Sequence, residues 1–127
     1  MMMKLGRSVG ALLLITVLSA CNVEVPAIDS AKVAQYESGK PQKTWELNRS
    51  EIAALSQWFQ RHQDGWSPTF TTYAPGLNVV LGNAKRPVGG LNILGNRLVV
   101  NVERGQYIRE LSPEEISSLR TLVRADG

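Results

Sequence analysis

His62 is the one histidine in this 127-residue chain. Imidazole is the side chain whose ordinary titration range suits proton transfer near neutral pH. Asp64 follows it closely and Glu51 precedes it on the same predicted helix, so a general-base reading draws one of these carboxylates to the ring. A base needs a group to activate. The chain has no Gly-x-Ser-x-Gly elbow, and its single cysteine, Cys21, lies far away near the N-terminus. The competing reading is structural: His62 falls four residues after Trp58 and seven after Leu55, towards the apolar side of the helix. One cysteine and one histidine leave little material for a zinc site, so neither metal nor cofactor is expected.

Three other groups can do recognition rather than catalysis. Trp58, Phe59, Trp66, Phe70 and Tyr73 crowd together in sequence; they are expected to be mostly core, with Trp66, just past a helix-ending Gly65, the most available for binding. Arg97, Arg104 and Arg109 alternate with apolar residues, which places them on the solvent face of a sheet as a surface for an acidic glycan or a protein. Gly82 to Gly90 carries Lys85, Arg86 and Pro87 and reads as a flexible loop. It matches neither a phosphate loop nor a dinucleotide fingerprint, because Gly89-Gly90 runs into a strand and not a helix.

The elements that position these residues are marked by local chemistry. Leu47-Asn48-Arg49-Ser50-Glu51-Ile52 is a capping box with a hydrophobic staple, and Ile52, Leu55, Trp58 and Phe59 then make one helical face. Ser112-Pro113-Glu114-Glu115 repeats the device, with proline at the first helical position and Ile116, Leu119, Leu122 and Val123 as the apolar stripe. Between the helices, Thr69–Tyr73, Leu77–Leu81, Leu91–Leu94, Arg97–Val102 and Gln106–Glu110 read as strands. Gly95-Asn96 forms a two-residue hairpin turn. The expected fold class is α+β: a small antiparallel meander of about five strands flanked by an N-terminal and a C-terminal amphipathic helix. Thr44–Leu47 is a candidate edge strand. Asn22–Lys43, polar and interrupted by Pro26, Gly39 and Pro41, reads as a flexible tether with a helical turn around Ala31–Tyr36.

The N-terminus has a different character. Lys4 and Arg7 precede an apolar run from Val9 to Leu18, too short for a membrane span, and Leu18-Ser19-Ala20-Cys21 follows at once. These residues resemble the signal peptide and lipobox of bacterial lipoprotein precursors; the resemblance covers residues 1–21 only. It implies cleavage between Ala20 and Cys21, a diacylglyceryl thioether on Cys21 and acylation of the new amino group. The domain plan that follows is a signal peptide at 1–20, a lipidated tether at 21–43 and one domain at 44–127. Asn22 after the cysteine, where aspartate would favour inner-membrane retention in the scheme this resembles, points to the periplasmic face of the outer membrane.

Charge agrees with export. Of 14 Lys and Arg, Lys4 and Arg7 leave with the signal, so 12 cations face the 11 Asp and Glu that remain, for a net +1. A nearly neutral domain has no electrostatic footprint for nucleic acid. The sequence thus leads to a lipid-anchored, non-catalytic envelope protein that binds another envelope component, a protein or a glycan. A small hydrolase or peptidoglycan-active enzyme using His62, and a carrier of a hydrophobic ligand, are the alternatives.

Overall fold

The computed structural model describes residues 22–125; Leu18, Ser19, Ala20 and Cys21, with the signal-like stretch before them, lie outside the described residues. The order of elements is β1 (Ser30–Glu37), β2 (Lys40–Glu46), α1 (Arg49–Gln60), β3 (Ser67–Pro68), β4 (Leu77–Asn83), β5 (Arg86–Leu94), β6 (Arg97–Val102), β7 (Gly105–Glu110) and α2 (Pro113–Leu122). The strands form one antiparallel sheet in the order β2-β1-β4-β5-β6-β7-β3. The expected five-strand meander between two helices is therefore corrected. The described residues are predominantly β, and two of their seven strands precede the helix Arg49–Gln60.

The tether is corrected with it. The run read as a helical turn is β1, an inner strand between β2 and β4, and Lys40–Lys43 belong to β2. Val23, just two residues past Cys21, is 3% exposed, and its N–H donates to the Gln63 carbonyl at 2.7 Å. Residues 22–29 cross the end of the helix–sheet interface as a strap, with Val25 and Ile28 packed on the core. The tight hairpin β4–β5 replaces the expected 82–90 loop. Its turn residues Ala84 and Lys85 have φ of 54° and 67°, a left-handed pair without glycine that costs on the order of 1–2 kcal/mol per residue. The strap clamps this turn: Asn83 Nδ2 donates to the Ala27 carbonyl at 2.7 Å, and the Ala84 amide donates to Asp29 Oδ2 at 3.1 Å. Gly95, with φ 62°, makes the β5–β6 turn as its sequence predicts.

Both capping boxes form. Glu51 N–H donates to Asn48 Oδ1 and Asn48 N–H to Glu51 Oε1, each at 2.8 Å. Ser112 N–H donates to Glu115 Oε1 at 2.8 Å and Glu115 N–H to Ser112 Oγ at 3.1 Å. The apolar stripes of both helices share one core with Val33, Leu77, Val79, Leu81, Leu91, Leu98 and Val100, residues that register pairing places on a single face of the sheet. Burying each such side chain contributes roughly 1.5–3 kcal/mol. No described helix is long and apolar enough to cross a membrane.

The opposite face is half covered. Thr69–Tyr73, expected as a strand, instead belong to a second, irregular strap, residues 69–76, over β5, β6 and β7. Asn92, 7% exposed, accepts from the Gly76 amide at 2.9 Å and donates to the Ala74 carbonyl at 3.1 Å. Gln106 Nε2 donates to the carbonyls of Thr69 at 3.3 Å and Thr71 at 2.8 Å. Val99, which pairs with Asn92 and faces away from the helices, is buried beneath this crossing. The sheet's margins are β2, with Lys40, Pro41 and Lys43, and β3, two residues long and ending in Pro68.

Candidate functional site

Three elements meet at His62: the C-terminus of α1, the N-terminus of α2 and strand β7. The last turn of α1 leaves carbonyls without helical partners. His62 N–H turns back to the Phe59 carbonyl, which frees the Trp58 carbonyl, and His62 Nδ1 bonds that oxygen at 2.6 Å. A carbonyl can only accept, so Nδ1 carries a proton. The ring stacks on Trp58 with centroids 3.9 Å apart and planes 13° apart. Its other nitrogen, Nε2, lies 3.2 Å from Glu115 Oε2. The carboxylate beside His62 is thus Glu115, from the second helix. The two residues that sequence proximity suggested are not its partners: Glu51 caps its own helix and pairs with Arg124 at 2.7 Å, while Asp64 is engaged here through its backbone carbonyl.

Arg109 completes the cluster. Its Nη2 lies 3.3 Å from the same Glu115 oxygen, its Nη1 donates to the Asp64 carbonyl at 2.8 Å, and its guanidinium stands 6.0 Å from the Trp66 ring centre. Gly65, at φ 82°, lets the chain turn beneath it; a Cβ there would lie 3.7 Å from the guanidinium carbon. The Ser112 amide bonded to its carboxylate, helped by Arg109 and opposed by partial burial, holds Glu115 below its ordinary pKa.

Chemically, this arrangement is a clamp. Both nitrogens of His62 are turned onto protein oxygens, Nδ1 onto the Trp58 carbonyl and Nε2 onto the Glu115 carboxylate, so neither is directed at an approaching substrate. The Ser112 hydroxyl is occupied as a helix cap. Among the described residues no three His, Cys, Asp or Glu side chains converge as a metal site.

The residues expected to form a binding surface do not come together. Trp66 is 2% exposed, with Nε1 donating to the His62 carbonyl at 2.7 Å; it is core, and the availability expected of it is corrected. Arg97 starts β6 opposite Glu110 on the face away from the helices. Arg109 lies on the helix face, and Arg104 sits in the β6–β7 turn at the other end of the strands from Arg97. The single solvent face expected for the three arginines is corrected accordingly. Gly82 lies inside β4 and Gly89-Gly90 inside β5, so the run from 82 to 90 is a hairpin closed by the Ala84–Lys85 turn. Cys21 lies outside the described residues.

Phe70 is the surprise. Expected in the core, its ring is 97% exposed at the crest of the 69–76 strap, the segment anchored by Gln106 and Asn92. One signal of this arrangement was present in the sequence: Leu98-Val99-Val100 is an unbroken apolar run, as in a strand covered on both faces, and a second cover must come from somewhere. An open groove of about 560 Å³, lined by Val23, Val25, Pro87, Val88, Arg104 and Tyr107 among others, runs beside the N-terminal strap. The helix–sheet interior itself is filled by Trp58, Trp66, Leu55, Leu81 and Leu119.

Comparison of the chain with protein-family models, curated proteins and solved structures returned no significant match.

Proposed function

We propose that this chain is an exported lipoprotein, held through acylated Cys21 at the periplasmic face of the bacterial outer membrane, and that its domain is a non-catalytic binding module for another envelope protein. The location follows from the order of basic start, apolar run and Leu18-Ser19-Ala20-Cys21. The binding role is carried by Phe70. A fully exposed aromatic ring on a strap pinned at both ends is a rigid apolar anchor, the kind of residue that supplies most of the energy at protein interfaces. The engagement of both His62 nitrogens supports a binding role over hydrolysis.

A photo-crosslinking residue at position 70, in intact cells, tests the binding role. Expected is one dominant adduct with an envelope protein, competed away by excess unlabelled domain and missing when the probe is at Gln57, exposed on α1 on the opposite face. Labelling of lipid alone, or equal adducts from both positions, would sink the binding reading. In parallel, Cys21→Ser is expected to abolish fatty-acid incorporation and release the protein from membranes.

A further inference from the structure

The distance between anchor and fold fixes how the domain meets the membrane. Val23 is tied by its amide and buried by its side chain, so a lipid on Cys21 is separated from the folded surface by Asn22 alone. Two residue steps span at most about 7 Å. The headgroup zone on one side of a bilayer is itself about 5–8 Å deep. A domain on so short a leash touches the headgroups; it cannot stand off from them.

The strap from Asn22 to Asp29 also selects which end does the touching. Asn22 lines the same groove as Glu103 and Arg104 of the β6–β7 turn. Seven residues later, Asp29 holds the amide of Ala84 in the β4–β5 turn. Both turns lie at one end of the strands, and the Ser38-Gly39 and Gly95-Asn96 turns lie at the other. Lys85, kept in its strained left-handed conformation by the clamped turn, and Arg104 are exposed at the near end, and Lys32, Lys85 and Arg86 line one shallow groove there with Glu46. Glu24 and Glu103 share this end, so the cations are interspersed with carboxylates and short-range contact with lipid phosphates replaces a broad positive field. Phe70 leaves the sheet near Gln106, on the face turned away from both helices, and so borders this same end on its open side.

We infer that the mature protein rests on the bilayer in one orientation, with the Ala84–Lys85 and Glu103–Arg104 turns in the headgroup layer and Lys85 and Arg104 on lipid phosphates. This inference rests on the lipoprotein reading. The test uses the full acylated protein in vesicles containing anionic phospholipid, with one fluorophore each on Lys85→Cys, Arg104→Cys, Lys40→Cys or Asn96→Cys and a quencher on the lipid headgroups. Expected is several-fold stronger quenching at positions 85 and 104 than at 40 and 96, and loss of that contrast when a dozen Gly/Ser residues are inserted between Cys21 and Asn22. Equal quenching at all four positions in an acylated, vesicle-bound sample would overturn the orientation, as would a contrast that survives the spacer. Intact-mass measurement on the same samples separates the two failures. An unacylated protein that does not float with vesicles overturns the lipoprotein reading and takes the orientation with it.

Discussion

On one face of the sheet, Trp58, Leu55 and Leu119 bring apolar bulk from two helices onto Val79, Leu91 and Leu98; on the other, the 69–76 strap is held by the side-chain amides of Asn92 and Gln106. The helix cover is stabilised by area and tolerates small shifts in geometry. The strap depends on directional bonds to backbone, each contributing about 0.5–1.5 kcal/mol, and fails wherever one is left unmade. A polar cover of this kind spares apolar side chains from the core, and that is how Phe70 comes to point at solvent.

The contrast can be broken most severely from the helix side. Trp58→Ala is expected to cost about 3–5 kcal/mol, because it removes the ring that fills the core and supports the His62 stack. Urea unfolding measures this, and a loss under about 1 kcal/mol would show that the helices are not the main cover. Asn92→Ala strips the Gly76 amide of its partner in a buried setting, with an expected cost of about 1–3 kcal/mol. The damage should be local: amide exchange and proteolysis rise within 69–76 while β1 and β4 stay protected. Uniform loss of protection would mean the strap is integral to the global fold.

Glu115→Gln sharpens the comparison by removing charge from the clamp while keeping a side chain that can cap. The folded-state pKa of Glu115 is lowered, so its ionised form stabilises the fold above the ordinary glutamate value of ~4.3, and that contribution disappears as pH falls through the lower folded value. The stability gap between wild type and variant should therefore be greatest near neutrality and close in acid; a gap independent of pH would contradict this assignment. Phe70→Ser is expected to have the smallest effect on stability, within about 0.5 kcal/mol, since the ring touches little in the free domain. Failure of unlabelled Phe70→Ser domain to compete for the partner adduct, without a change in thermal midpoint, would mark it as a contact residue, whereas a fall in midpoint would return it to the core.

Legibility followed the range of the interactions. Both helices could be located because a capping box is written within four residues, Asn48 to Glu51 and Ser112 to Glu115. The Gly95 turn was legible for the same reason. β2 was not, because Lys40, Pro41 and Lys43, the residues suited to an exposed sheet margin, are also the residues of a linker. β1 turns only Ala31 and Val33 fully into the core, too weak an alternation to stand out. The amide bonds of the strap join residues 16 to 37 positions apart, and Glu115 meets His62 across two helices, so no local pattern announced either.

Prolines 41 and 68, at opposite borders of the sheet, bear on crowding. Wherever copies of a chain crowd together, bare backbone along a β border invites one molecule to continue the ladder of the next. One border interrupted by an imino nitrogen between lysines, and the other too brief to template anything, keep neighbours as separate particles. Copies held close together can then stay apart without becoming a fibre.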